Sequence, residues 1–99
     1  MYDFVTAWDS IWHVPLESQE RVLKKLFSCL NTDGICIFSG GGVDKPGEHN
    51  NKAMGLEVYY STLGISGFLN VISSSNCTFR HLEYDQYPEL HTYFIVQKN

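Results

Sequence analysis

Residues 2–15 read YDFVTAWDSIWHVP, and they carry most of the information about the architecture of this chain. The stretch from Tyr2 to Trp8 is rich in β-branched and aromatic residues, which predicts a strand. The polar pair Asp9 and Ser10 follows at once. In open α/β sheets, ligands bind just past the carboxyl ends of parallel strands. We therefore expect a functional site where this strand ends.

A helix and a second strand are predicted directly after it. From Pro15 to Leu30, apolar residues recur at helical spacing, which predicts an amphipathic helix. Those expected to anchor the helix on the sheet are Leu23, Leu26, Phe27 and Leu30. Asn31 to Gly34 provide a stop signal. Ile35 to Ser39 form an apolar run without polar alternation, as in a parallel strand covered on both faces, so strand, helix and strand make one crossover unit.

The rest of the chain is predicted to contain a loop, a second helix and a hairpin. Gly40 to Gly42 are expected to end the second strand, before a long polar surface loop. Residues 56–60 fit either an extended segment or the opening of a helix. Ser66 is a candidate cap for the second helix. Thr78 to Tyr84 and His91 to Gln97 are predicted as two antiparallel strands.

The order is therefore β-α-β-(loop)-α-β-β, an α/β architecture. It predicts a mixed four-stranded sheet that ends in an antiparallel hairpin. With 99 residues, of which 43% are hydrophobic and 14% aromatic, the chain has room for one compact domain with its own core. We expect a single domain over residues 1–99.

Charge and cysteine content exclude several classes of function. The net charge is −4, and the basic residues are scattered except for the pair Lys24-Lys25, which disfavours nucleic acid and an anionic membrane surface as partners. The three cysteines are odd in number and lack Cys-x-x-Cys spacing, so they are interpreted as reduced thiols. No signal peptide or apolar run of about 18 residues is visible, which predicts a cytoplasmic protein.

Two ordered segments resemble the C-terminal half of a class I S-adenosylmethionine-dependent methyltransferase. Residues 2–15 are similar to that family's fourth strand and to the turn after it, which leads into a helix through a His-Val/Ile-Pro entry. Residues 23–38 are similar to the next helix, the Leu-x-Pro-Gly-Gly turn and the fifth strand, although Thr32 replaces the common Pro and Asp33 the first Gly. The resemblance implies half of a Rossmann-like methyltransferase fold, with S-adenosylmethionine as cofactor.

The resemblance also implies roles for the turn after the first strand. In the family this turn flanks the methionine end of the cofactor and the acceptor pocket. Trp8, Asp9 and Ser10 are therefore candidate cofactor-binding residues, and His13 is a candidate substrate-binding residue or base. Alternatively, Asp9 or Ser10 caps the following turn while Trp12 and His13 pack beneath the helix.

Further candidate residues lie later in the chain. Tyr59 and Tyr60 fall where the family places an acceptor-binding insertion, so they are candidate substrate-binding residues; they are equally suited to be core aromatics. His81, Glu83 and His91 lack metal-ligand spacing and are interpreted as polar surface residues, so no metal site is expected. Methyl transfer depends mainly on alignment of the reactants, and no catalytic side chain is predicted.

The family's glycine-rich cofactor turn and second-strand acid have no counterpart in this sequence. Gly40 to Gly42 follow the fifth-strand equivalent and are interpreted as a flexible lid or a bulge. The resemblance thus implies a methyltransferase half that acts on a small molecule or another acceptor and needs an N-terminal half. The alternatives are a non-catalytic dimerising module and an unrelated small α+β binding domain. An unpaired strand edge attracts another strand, so the edge of Tyr2–Trp8 is expected to pair in a homodimer or with a separate N-terminal half.

Overall fold

The protein is described by a computed structural model that covers residues 1–43, 46–53, 56–85 and 91–99, of which 48–53 and 56–60 are described as backbone only. These residues contain two α-helices, α1 (Leu16–Ser28) and α2 (Gly64–Ser74), and a short 3₁₀ helix over Ile11–His13. The strands are β1 (Tyr2–Ala7), β2 (Leu30–Gly41), β3 (Gly47–Ala53), β4 (Leu56–Thr62), β5 (Cys77–Glu83) and β6 (His91–Lys98).

Four of these strands form the main sheet, in the order β1-β2-β6-β5. β1 and β2 are parallel, whereas β6 runs antiparallel to both β2 and β5. This arrangement confirms the predicted mixed four-stranded α/β sheet with its terminal hairpin. In the described part of the chain, no helix combines the length and the apolar character that a membrane crossing needs.

The segment predicted as a long polar loop contains a strand, so that prediction is wrong in part. Gly47–Ala53 forms β3 and pairs antiparallel with β4, which also shows that residues 56–60 are extended rather than helical. The backbone pairing between β3 and β4 holds this segment in a strand despite its polar sequence.

β2 ends at Gly41, within the predicted Gly40 to Gly42 stop, although it runs past the predicted end of the strand at Ser39. A Cβ atom placed on Gly40 would lie 2.7 Å from Cζ of Phe68 in α2. Glycine is therefore needed at this position for close packing of the helix against the strand, and not for a flexible lid or a bulge.

α1 ends earlier, and α2 begins earlier, than the sequence predicts. α1 ends at Ser28, with Cys29 as its cap, so the chain has already entered β2 at Asn31–Gly34. α2 begins at Gly64, and the N–H of that residue donates to Oγ1 of Thr62 at 3.0 Å. The expected cap Ser66 lies inside the helix.

The core lies between the two helices and one face of the sheet. Four phenylalanine rings meet there in a continuous series of contacts, and each is fully buried: Phe27, Phe38, Phe68 and Phe94. Leu23 of α1 is fully buried, whereas Leu26 is only partly buried. The predicted anchoring face of α1 is thus correct at Leu23 and Phe27 and only partial at Leu26.

The opposite face of the sheet is also apolar, but its side chains are partly exposed. Phe4, Ile35, Ile37 and Ile95 share this face by strand register, and we call them the open face. Phe4 is 57% exposed, and the three isoleucines are partly exposed. β1 and β5 are the two edge strands of the sheet, and β1 contributes Phe4 to the open face.

Candidate functional site

The carboxyl ends of β1 and β2 and the beginning of β6 meet at one end of the sheet. Because β6 is antiparallel to β2, its first residue, His91, pairs with Gly41 at the last position of β2. Trp8 and Asp9 directly follow β1, whose Ala7 is paired with Phe38 in β2. Side chains that lie far apart in the sequence therefore converge where ligands bind in α/β sheets.

His91 lies at the centre of this cluster. It is 6% exposed, and both of its ring nitrogens contact carboxylates: Nδ1 contacts Asp85, and Nε2 lies 3.0 Å from Oδ1 of Asp9. The interpretation of His91 as a surface residue is wrong, because the strand register carries its ring under the turn after β1. His81 and Glu83 are exposed, as expected of surface residues, and Nε2 of His81 lies 3.4 Å from Oε1 of Glu83.

Two tryptophans cover the His91 ring. The ring centroids of Trp8 and His91 are 5.3 Å apart, and those of Trp12 and His91 are 5.4 Å apart. Trp8 also contacts Tyr93, at 5.6 Å between centroids, yet 45% of Trp8 remains exposed. Trp8 therefore shields the cluster and at the same time leaves part of its ring open to solvent.

Asp9 is held in an unusual backbone conformation, with a φ of 54°. Asp is among the few residues that tolerate this left-handed region. Its N–H donates to Oγ of Ser39 at 2.7 Å, and that hydroxyl in turn lies 3.4 Å from Oδ1 of Asp9. Ser39 is fully buried, whereas the Asp9 side chain is 51% exposed. The carboxylate is thus anchored from inside the protein and accessible from outside.

The environment of His91 favours its charged form. Burial of the ring lowers the pKa of His91, but the hydrogen bonds and negative charges of Asp85 and Asp9 outweigh it, so the pKa lies above the ordinary value of 6.5. A neutral imidazole has one N–H and can donate to only one carboxylate. Both contacts are satisfied together only in the doubly protonated ring.

Comparison with solved structures identifies the fold. A protein from Listeria monocytogenes described as an S-adenosylmethionine-dependent methyltransferase is similar over 99% of this chain, with a TM-score of 0.80 and 12% identity. A methyltransferase of the same class from Methanosarcina mazei is similar over 98%, with a TM-score of 0.78 and 12% identity. Magnesium protoporphyrin IX methyltransferase from Synechocystis PCC 6803 with bound S-adenosylmethionine gives a TM-score of 0.70 at 12% identity over 99% of the chain.

This is the class I methyltransferase fold. The match is partial, since this chain spans 62%, 59% and 39% of the lengths of those three proteins. No protein-family model matches the sequence, and no curated protein matches it. The similarity to solved structures nevertheless confirms, at the level of the fold, the resemblance noted in the sequence.

Within this methyltransferase fold, the predicted site residues are only partly brought together. Trp8 and Asp9 join the cluster around His91. Ser10 and His13 lie beside them at the two ends of the 3₁₀ helix region, both exposed, and Nε2 of His13 accepts a hydrogen bond from Nε1 of Trp12 at 3.1 Å. Ser10 makes no side-chain capping bond to the 3₁₀ helix, and the Asp9 carboxylate contacts His91. The capping alternative therefore does not hold for Ser10.

The predicted acceptor residues Tyr59 and Tyr60 lie on β4, and their side chains are outside the described residues. The neighbouring Ser61 places that strand beside the turn after β1, because its Oγ donates to the carbonyl oxygen of Val14 at 2.5 Å. The end of β4 thus lies close to the turn after β1, and the acceptor-binding role of Tyr59 and Tyr60 stays a prediction.

Gln19 fixes the same region from inside, and sequence reasoning missed it. It is fully buried in α1. Its Nε2 donates to the carbonyl oxygens of Ile11 at 3.1 Å and Ser61 at 2.9 Å, while its Oε1 accepts from the N–H of Leu63 at 3.2 Å. One side chain therefore connects α1, the 3₁₀ helix and the end of β4. The sequence did contain a signal for its burial, because Gln19 lies four residues before Leu23, which lies four residues before Phe27, on the same face of the helix.

The cysteines contribute no second site. All three are free thiols. Burial raises the pKa of Cys36 to about 12, and burial also raises the pKa of Cys77, so both thiols stay protonated at neutral pH. Within the residues described, no group of three His, Cys, Asp or Glu side chains is arranged to hold a metal ion.

Proposed function

We propose that this chain is part of an S-adenosylmethionine-dependent methyltransferase and that it contributes Trp8, Asp9 and Ser10 to the cofactor site. The observation that supports this most is the accessible carboxylate of Asp9 beside the half-exposed ring of Trp8, at the carboxyl end of β1 in a methyltransferase fold. Two of the similar structures contain S-adenosylmethionine or S-adenosylhomocysteine.

The chemistry of these residues fits such a cofactor. S-Adenosylmethionine carries a sulfonium and an ammonium group, and when bound it supplies an electrophilic methyl carbon. Carboxylates form strong charge-assisted hydrogen bonds with ammonium groups, and tryptophan faces attract cations. Asp9 would bind the positive charge and Trp8 would exclude water from it. His13, Tyr59 and Tyr60 would orient a small-molecule acceptor, so catalysis would rest on alignment.

The partner that completes this site is, in our proposal, an α/β half that adds a strand to β1. Among the described strands, β1 pairs only with β2, so its other edge is unpaired and adjoins the open face; we expect one partner to cover both. A second copy that extended the sheet through its own β1 would leave Phe4 and Ile37 uncovered, whereas a strand followed by a packed helix covers edge and face together. The similar structures are longer than this chain, which supports a complementing half.

Cofactor binding is tested by calorimetric titration with S-adenosylhomocysteine. We expect saturable binding that Asp9→Asn weakens about tenfold, because the amide loses the charge that strengthens the contact. Asp33→Asn is a matched control: Asp33 also has a left-handed backbone (φ 67°), but it lies near the opposite end of β2. Equal affinity of the two variants would contradict the role of Asp9. No binding by the folded chain alone would mean that the site needs the complementing half, and no binding when that half is present would favour the alternative, a non-catalytic dimerising module.

The partner is tested by light scattering and amide hydrogen exchange on the chain alone. We expect a monomeric mass and fast exchange of the unpaired amides in Tyr2–Ala7, because in our proposal a second copy does not pair with this edge and its amides stay exposed to solvent. We also expect the open face to bind a hydrophobic dye, and Phe4→Glu to reduce that binding. A dimer with slow exchange across Tyr2–Ala7 would identify a second copy as the occupant and overturn the proposal.

A further inference from the structure

His91 is a buried ionisable side chain that the proposed methyl transfer does not use. Both ring nitrogens already contact carboxylates, so the ring offers no free nitrogen to act as a base towards an acceptor. Its contacts join three separate parts of the chain: the end of β1 through Asp9, the start of β6 through its own backbone, and the residue Asp85 shortly after β5. A residue in this position controls where the Asp9 carboxylate lies.

We propose that His91 is a positioning residue which, in its doubly protonated form, holds the Asp9 carboxylate at the mouth of the site for a cationic ligand. The identity of that ligand as the cofactor rests on the proposed function. The position of Asp9 depends on two anchors, the Ser39 hydroxyl at its N–H and the His91 ring at its carboxylate. When the ring loses a proton, only one of the two carboxylates retains a hydrogen bond from it.

The charges around the ring explain why a cation is the expected ligand. Among the described residues, the charged groups that face His91 are Asp9 and Asp85, while Trp8 and Trp12 cover it with aromatic rings. Two carboxylates and one imidazolium leave one net negative charge. The exposed part of that charge lies on Asp9, next to Trp8. A carboxylate beside an aromatic face attracts positively charged groups.

This arrangement makes the site sensitive to pH in a defined direction. Because the folded-state pKa of His91 lies above 6.5, the protonated contacts are present below that value and are lost as the pH rises through the folded-state pKa. Both the ordering of Asp9 and the stability that these contacts contribute should therefore fall with rising pH. Removal of Asp85 takes away part of the stabilisation of the charged ring, so the transition should move to lower pH.

Two readouts on the 99-residue chain test this inference. Nuclear magnetic resonance of the His91 ring nitrogens and of the Asp9 amide, from about pH 5 to about pH 9, should give one common titration above the reference value for histidine. His91→Gln assigns the ring signal, and His81→Gln, which removes an exposed histidine, leaves it in place. Asp85→Asn should shift the titration of the ring to lower pH, and the titration of the Asp9 amide should move with it if His91 positions Asp9.

Calorimetry with S-adenosylhomocysteine is the second readout. We expect the wild-type affinity to fall about tenfold across the His91 titration, and the affinity of His91→Gln to be low and independent of pH. An Asp9 amide that does not follow the His91 ring, or identical pH profiles for wild type and His91→Gln, would overturn the inference. If no variant binds S-adenosylhomocysteine while the common titration persists, cofactor binding by this chain alone fails and the role of His91 in positioning Asp9 stands.

Discussion

Phe27→Ala should lower the free energy of unfolding by about 3–5 kcal/mol, as removal of a fully buried aromatic ring does in other cores. Phe27 has no exposed surface, and its ring centroid lies 6.0 Å from that of Phe38 in β2. It is the aromatic contact through which α1 holds the sheet. Urea unfolding followed by far-ultraviolet circular dichroism measures the effect directly.

Leu26→Ala provides the control for this prediction, because it removes an apolar side chain one residue earlier on the same helix. Leu26 was expected from the sequence to belong to the anchoring face, but it is only partly buried. It therefore loses less transfer free energy on truncation, and we expect a clearly smaller change than at Phe27. Equal losses at the two positions would show that the helix packs on a different face.

The parts of the fold that sequence reasoning predicted are those with a strong apolar pattern. β1, α1, β2 and the terminal hairpin each carry a continuous apolar or amphipathic stretch. β3 was missed because Gly47–Ala53 contains Gly, Asn and Lys, which have low strand propensity. Its strand conformation depends on pairing with β4, and that information is not contained in the local sequence.

Some residues of the candidate site could likewise be predicted from the sequence, and others could not. Trp8 and Asp9 could be predicted because a polar residue directly after a parallel strand lies where ligands bind. His91 could not, since it is 82 residues from Asp9 and begins an antiparallel strand, where alternation alone assigns a histidine to the surface as readily as to the interior. Only the register of β6 on β2 brings the two side chains together.

Gln19 has the second strongest expected effect, and it connects stability with the site. Gln19→Leu keeps the size of the side chain but removes every polar contact, so the N–H of Leu63 and the carbonyl oxygens of Ile11 and Ser61 lose a partner. A buried polar group left without a partner destabilises by about 1–3 kcal/mol, and we expect a total loss of about 2–4 kcal/mol in urea unfolding. Gln97→Leu, at an exposed hydrogen bond on β6, should change stability by less than about 0.5 kcal/mol.

The same substitution should also disturb the candidate site, because Gln19 holds the 3₁₀ helix whose Trp12 covers His91. Without the hydrogen bond from Gln19 to the carbonyl oxygen of Ile11, the 3₁₀ helix is held less firmly, and Trp12 packs less closely on the His91 ring. Water then gains access to the contacts of His91 with Asp9 and Asp85. In Gln19→Leu we therefore expect the His91 ring resonances to broaden or shift under conditions in which the chain is still folded. Unchanged His91 resonances, together with a large loss of stability, would show that Gln19 supports the fold without supporting the site.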